Sequence, residues 1–236
     1  MKKILSIFLF LFLSYHIHAQ FAKIIDKDGY VNLRKEEGIK SQVTGRIQSG
    51  EIVYVYDQDE KNKDWLITDY QDKNGKLLTG YIHRSRLKYI ATYEEIPATT
   101  TGAQKAVFIL KNRKIEILSD TFNYKKNKKY FSSTHYGKQQ IEDQYKGQQI
   151  WGTDGTIPQT HYLSITATIA NKKVEIPQKE IENLFNINNE NTACYFDNQN
   201  ETLYITSLNS DGAGGYMVLF IIEKGKYKGR TLIMPF

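Results

Sequence analysis

Short runs of β-branched and aromatic residues, separated by turn-forming pairs, constrain the fold of this chain more than any other feature. Between Phe21 and His83 these runs are four to six residues long, and Asp-Gly, Ser-Gly and Asn-Gly pairs separate them. Such runs are typical of strands, and the pair Asn74-Gly75 is a strong hairpin signal because both residues tolerate a positive φ. Five or six short strands within about 70 residues predict a small β-barrel.

The rest of the chain continues this pattern, with one exception. Further strands are expected at 106–110, 114–118, 162–170, 174–176, 193–196, 202–208, 215–222 and 230–234. The exception is 177–185, which begins with a proline and carries apolar residues at 181, 184 and 185, so it predicts a short amphipathic helix. Residues 104–236 are therefore expected to form an α+β domain of antiparallel hairpins with one short helix.

A change in composition marks an expected domain boundary. The stretch EEIPATTTG (94–102) contains few groups to bury, which is typical of a linker. We expect one domain at 20–92 and a second at 104–236, joined by a linker at 93–103, because both lengths are ordinary for single domains.

The first 19 residues have the layout of a secretory signal peptide. Two lysines precede an apolar core, and Ala19 stands before the expected cleavage point. The core is shorter than the roughly 20 apolar residues of a membrane span, and no later stretch approaches that length. We expect an exported protein, periplasmic or secreted, with no membrane span after removal of 1–19. A retained membrane anchor is the alternative.

Cysteine content and charge narrow the function classes. Cys194 is the only cysteine, so the chain cannot form an internal disulfide. The net charge is +6, with bases and acids mixed along the chain, which favours solubility or attraction to anionic envelope polymers. The lysine-rich run 125–129 predicts a solvated loop or hairpin tip, and export argues against nucleic-acid binding.

Two motifs carry a family resemblance. DGYVNLR (28–34), followed by Gly50 and Trp65 and closed by GYIHRSRL (80–87), resembles a bacterial SH3 domain over about residues 22–90. The resemblance implies a small β-barrel that binds peptide-like ligands, in exported bacterial proteins commonly the peptide stems or bridges of peptidoglycan. The stretch 35–38 and the loop 57–64 depart from the family pattern beside the implied groove, so the identity of the ligand stays open.

Eight residues are candidate ligand-binding residues of this SH3-like groove: Tyr30, Asn32, Arg34, Trp65, Tyr70, Tyr81, His83 and Arg86. The aromatic rings join an apolar face to a polar tip, which suits the flat faces of peptide bonds and sugar rings. The His and Arg side chains can donate hydrogen bonds to a stem-peptide carboxylate. Structural roles are the alternative: the asparagine ties a strand end to a turn, Arg34 pairs with Glu36 or Asp69, and the rings pack in the core.

Two glycine-rich loops of the second domain, WGTDGTIP (151–158) and NSDGAGGY (209–216), place Asp-Gly at strand boundaries. Both Asp-Gly pairs can be explained as turns, because Asp and Gly favour turn conformations. The alternative is a shared loop face that meets a ligand or partner through Trp151, Asp154, Asp211 and Tyr216. Both loops resemble features of exported Bacteroidetes-type proteins of unknown activity.

No complete catalytic set is recognisable in the sequence. Cys194 lies in an expected strand and follows His135 and His161, the reverse of the order in papain-like enzymes. The histidines after residue 19 are isolated, so neither a metal site nor a cofactor is predicted. A glycosidase pair is conceivable among Asp154, Glu175 and Asp211.

These observations lead to one expected function and two alternatives. We expect an exported, non-catalytic binding or adaptor protein whose SH3-like domain engages peptidoglycan peptide or an envelope protein. The alternatives are a carboxylate-dependent cell-wall hydrolase, and an inhibitor or immunity protein that blocks an envelope enzyme.

Overall fold

The computed structural model describes residues 20–56, 64–72, 75–136 and 139–235, apart from the side chains of 135–141. Within these ranges the chain is mainly β, with antiparallel sheets and one short helix, α1 (Tyr124–Asn127). This confirms the mainly-β class that the sequence predicts. The predicted signal peptide, Asn74 and most of the loop 57–64 lie outside the described residues.

The first sheet contains seven strands. They are β1 (Gln20–Ile24), β2 (Tyr30–Arg34), β3 (Val43–Gln48), β4 (Ile52–Val55), β5 (Trp65–Gln71), β6 (Leu77–His83) and β7 (Leu87–Tyr89). Their order is β3-β2-β6-β5-β4-β1-β7, with β3 and β7 at the two edges. The hydrogen bonding leaves the sheet open, so a closed SH3-like barrel stays a prediction.

Thirteen strands follow. They are β8 (Glu94–Ile96), β9 (Ala98–Gly102), β10 (Lys105–Leu110), β11 (Arg113–Thr121), β12 (Phe131–Tyr136), β13 (Gln139–Tyr145), β14 (Gln148–Gln149), β15 (Thr160–Ile169), β16 (Lys172–Glu175), β17 (Thr192–Asp197), β18 (Thr202–Asn209), β19 (Tyr216–Glu223) and β20 (Lys226–Ile233). They form three sheets with the orders β16-β15-β11-β10-β9, β12-β13-β14 and β20-β19-β18-β17-β8.

The segment 93–103, which the sequence predicts as a linker, contains β8 and β9. Each pairs with a strand that follows it, β8 with β17 and β9 with β10. Glu94 in β8 accepts hydrogen bonds from Lys111, Asn198 and Arg113, which lower the pKa of its carboxyl group to about 2. The segment is therefore fixed to the second half of the chain.

The helix prediction for 177–185 is wrong. Only Gln178–Glu180 forms a short 3-10 turn, and Leu184 and Phe185 make isolated bridges to Trp151 and His161. Both bridging residues are fully buried, so tertiary packing overrides the helical spacing. The helix α1 instead lies at the lysine-rich run, and no helix in the described ranges is long and apolar enough to cross a membrane.

Buried apolar side chains form one cluster inside the first sheet and a larger one inside the second half. A third cluster, which we call the shared core, joins the two. Its buried members are Phe21, Ile52, Tyr54, Ile90, Tyr204, Leu219 and Ile233. The rings of Phe21 and Tyr54 pack edge to face at 5.3 Å, and the Tyr54 hydroxyl donates to Sδ of Met217 at 3.4 Å. The first sheet is therefore packed against the fourth.

Candidate functional site, a groove beside β2

A groove of about 370 Å³ opens beside β2. Its size falls within the range of small-ligand sites. Six of the eight predicted ligand-binding residues line it: Tyr30, Asn32, Arg34, Trp65, His83 and Arg86. The structure thus brings together residues that are more than fifty positions apart in the sequence.

Strand alternation and pairing explain this convergence. In β2, Val31 and Leu33 are buried while Tyr30, Asn32 and Arg34 are half-buried, because successive side chains of a strand point to opposite faces. We call the groove-lining side of this strand the β2 face. The other lining residues come from β5 and β6 and from the segments that follow β1, β2 and β6.

The rings of Trp65 and His83 form an aromatic part of the groove lining, which we call the aromatic wall. Trp65 at the start of β5 pairs with His83 at the end of β6, and their rings meet edge to face at 5.3 Å. The guanidinium carbon of Arg34 lies 5.7 Å from the centre of the Trp65 ring, within the usual range of a cation–π contact. Nδ1 of His83 accepts a hydrogen bond from the backbone N–H of Ser85, so the neutral imidazole carries its proton on Nε2.

The two arginines of the groove have different surroundings. Arg86 forms an ion pair with Asp26, with an N–O distance of 3.0 Å. Arg34 donates to the backbone carbonyl of Ser41 at 2.7 Å and pairs with no carboxylate among the described residues. The groove therefore contains one compensated and one uncompensated cation.

The amide of Asn32 lies in the middle of the β2 face. Its Oδ1 is buried and has no hydrogen-bond partner among the described residues, so no bond to a turn is formed by this oxygen. A buried acceptor without a partner costs free energy. A ligand N–H or a water that reached this oxygen would recover that free energy.

Two predicted residues do not line the groove, and six residues that line it were not predicted, Ile39 among them. Tyr70 is only 7% exposed and belongs to the core of the first sheet. Tyr81 is half-buried in β6, opposite Arg34. Ile39, which the sequence analysis missed, lines the groove and is 75% exposed. A large exposed apolar side chain at a groove rim is a candidate contact for a ligand.

The two glycine-rich loops meet in the second half of the chain. The carbonyl of Gly152 accepts hydrogen bonds from Ser210 Oγ at 2.8 Å and from Asn186 Nδ2 at 2.6 Å. A Cβ at this glycine would lie 2.3 Å from the carbonyl oxygen of Phe185, so the close approach needs glycine. The two loops are therefore in direct contact with each other, as a shared loop face requires.

A second groove, of about 470 Å³, borders these loops. Trp151 and Asp154 line it, whereas Asp211 is exposed and lies outside its lining. Tyr216 is fully buried and donates to the carbonyl of Phe185 at 3.1 Å, which is a structural role. The loops thus contribute two of the four predicted residues to this groove.

The surroundings of Cys194 do not suit a nucleophile. Burial raises the pKa of the Cys194 thiol well above its ordinary value, which disfavours the reactive thiolate. The side chain of His135 lies outside the described part. Asp143 lines the second groove, and a hydrogen bond from Thr134 lowers the pKa of its carboxyl group. No described group of three His, Cys, Asp or Glu residues is placed to hold a metal ion.

Comparison with family models, with curated proteins and with solved structures gave no match for this chain.

Proposed function

We propose that this chain is an exported, non-catalytic binding protein whose SH3-like N-terminal module binds the peptide part of peptidoglycan in the groove beside β2. The observation that carries the proposal is the convergence of Tyr30, Asn32, Arg34, Trp65, His83 and Arg86 on one groove. Aromatic faces beside hydrogen-bonding groups that have spare donors and acceptors suit the alternating apolar and amide surfaces of a peptide.

The second groove is lined by Glu142, Asp143 and Asp154, but Glu175 and Asp211, two of the three carboxylates that the sequence suggests for a glycosidase, do not line it. Glycosidases need a carboxyl group that stays protonated near neutral pH, and its pKa is therefore raised. The shift at Asp143 has the opposite direction, and Asp211 does not share the groove with Asp154. We therefore assign the function to the groove beside β2 and not to these carboxylates.

Sedimentation with purified sacculi tests the proposal. The full chain 20–236 is mixed with insoluble sacculi at low salt, and the fraction in the pellet is measured. We expect the wild type to sediment and Trp65→Ala to lose about tenfold or more in affinity, because hot-spot aromatic residues contribute at this level. Tyr130→Ala removes a ring that is 42% exposed outside the groove and should sediment like the wild type.

Two results would contradict the proposal. One is a wild-type protein that stays in the supernatant, in which case an envelope protein becomes the expected partner and co-purification from envelope extract would identify it. The other is release of soluble wall fragments by the wild type, which would indicate a hydrolase. Urea unfolding of Trp65→Ala checks that any loss of binding does not come from loss of the fold.

A further inference from the structure

The charges of the groove are unequally compensated. Asp26 neutralises Arg86 at 3.0 Å. The two carboxylates that the sequence offers to Arg34 do not take it: Asp69 instead accepts hydrogen bonds from Tyr56 at 2.7 Å and Thr79 at 2.5 Å, and no ion pair joins Arg34 to Glu36. A guanidinium has five N–H donors, and the hydrogen bond to the carbonyl of Ser41 uses one of its nitrogens. No carboxylate in the described part of the chain takes the remaining donors, so a ligand carboxylate can reach them.

The free guanidinium is also held in place. The carbonyl of Ser41 fixes one nitrogen at 2.7 Å, and the ring of Trp65 lies 5.7 Å from the guanidinium carbon. A planar fork held in this way loses little entropy when it binds a carboxylate, for which its geometry is matched. Arg34 is thus a preorganised anion-binding group at the aromatic wall of the groove.

The opposite end of the β2 face carries charges of both signs, because the guanidinium carbon of Arg46 lies 4.8 Å from the centre of the Tyr30 ring. Asp28 lines the groove just before β2 and makes no ion pair with a described cation. Residues 30, 32 and 34 face the same side, so Tyr30 and Arg34 are separated by about 13 Å along the strand. That distance matches three or four residues of an extended peptide, with the Asn32 amide between the ends.

We propose that the groove binds the carboxylate-bearing end of a short extended peptide, with the carboxylate on Arg34 and the chain running past Asn32 towards Tyr30. The position of Arg34 at one end of the β2 face sets the direction of the peptide. This inference rests on the proposed function and deepens it: the ligand is a peptide with a free carboxylate, and amidated or fully cross-linked stems bind weakly.

A comparison of two peptide preparations tests this inference. Stem peptides are released from sacculi by an amidase, and half of the preparation has its carboxyl groups converted to methylamides. Binding of each to the full chain 20–236 is measured by calorimetry. We expect the amide form to bind about tenfold more weakly or worse, because charge-assisted bidentate hydrogen bonds are lost.

The variant Arg34→Gln should weaken binding of the carboxylate form by a similar factor and should weaken binding of the amide form by less. Lys40→Gln removes the same charge from an exposed residue that does not line the groove, and it should shift either affinity by about twofold at most, since exposed charges are screened.

The outcomes separate the two proposals. Equal and measurable binding of both preparations by the wild type would leave peptide binding intact and overturn the role of the carboxylate. Failure of both preparations to bind would overturn both. An equal loss of affinity for both forms in Arg34→Gln would also count against the inference, because a charge contact with the carboxylate cannot explain it. If that variant does not fold, the two preparations on the wild type still decide the question.

Discussion

His161 illustrates how the surroundings of one residue set its chemistry. This half-buried side chain lies in β15, with its ring edge to face against Phe122 at 5.1 Å. Burial lowers the pKa of the imidazole, and the nearby Asp120 carboxylate partly opposes this shift. In the sequence the residue was a candidate base for Cys194, but its environment indicates a packed, neutral ring.

This shift predicts a dependence of stability on pH. The folded pKa lies below the unfolded value of about 6.5, so the unfolded state binds more protons between the two values. The contribution of His161 is complete above the unfolded pKa and is lost as the pH falls from there towards the folded pKa. The free energy of unfolding in urea should therefore fall between pH 7.5 and pH 5.5. For the variant His161→Gln, this free energy should fall less over the same range. Equal losses in the two proteins would show that other groups cause the effect.

The residues of the groove could be predicted to different extents. Alternation within DGYVNLR correctly separates the inward Val31 and Leu33 from the three side chains of the β2 face. Tyr70 lies in the core of the first sheet and not at the groove, and an aromatic ring in a strand has the same sequence signature in both places. Ile39 was missed because its exposure depends on the path of a polar loop, which no local pattern reveals.

At the scale of elements, the contact between β2 and β6 depends on Gly80. A Cβ at this position would lie 2.6 Å from the carbonyl oxygen of Arg34 and 2.8 Å from Cγ of Leu33. The first atom belongs to the backbone, so a side chain here must move the strand. The same contact positions the free guanidinium at the groove.

Gly80→Ala should therefore destabilise the protein by roughly 1–3 kcal/mol, the usual cost of overpacking, and should weaken binding to sacculi. Gly45→Ala in β3 is the matched control, because its Cβ would make only an ordinary contact of 3.5 Å with Leu78. The expected change there is within about 0.5 kcal/mol. Urea unfolding measures both variants. Equal stability of Gly80→Ala and the wild type would show that the two strands can separate without cost.

The strands were largely predictable and the helix was not. Strand propensity, alternation and turn residues agree for the hairpins formed by β10 and β11, by β15 and β16, and by β17 to β20, so local signals suffice there. The apolar spacing of 177–185 is compatible with a helical and with a non-helical conformation. The bridges of Leu184 and Phe185 to distant residues stabilise the non-helical one. The Thr-rich stretch 98–102 is mostly exposed and gains its strand conformation only by pairing with β10.

At the scale of the whole molecule, the shared core makes the two halves depend on each other. Phe21 is 2% exposed and packs in a cluster with side chains from β18, β19 and β20. A fragment that ended near residue 92 would expose this apolar surface. Binding experiments therefore need the full chain.

Phe21→Ala should lower the free energy of unfolding by roughly 3–5 kcal/mol, and it should do so for both halves together. The two tryptophans, Trp65 and Trp151, lie in different halves, so the variants Trp151→Phe and Trp65→Phe each leave one fluorescent reporter. Unfolding followed by either reporter should give the same midpoint. Ile25→Ala, which truncates a side chain that is 43% exposed directly after β1, serves as the control. Different unfolding midpoints for the two single-tryptophan proteins, measured without the Phe21→Ala change, would contradict the coupling.

The shared core also bears on what happens when the ligand belongs to a large immobile polymer. Tension on a peptide in the groove acts on β2 and β5 and passes through β4 and β1 to the aromatic rings packed on the fourth sheet. The second half then keeps a constant orientation relative to the polymer surface instead of swinging at the end of a tether. In the proposed complex with a wall peptide, the surface that the second half presents would therefore face one direction.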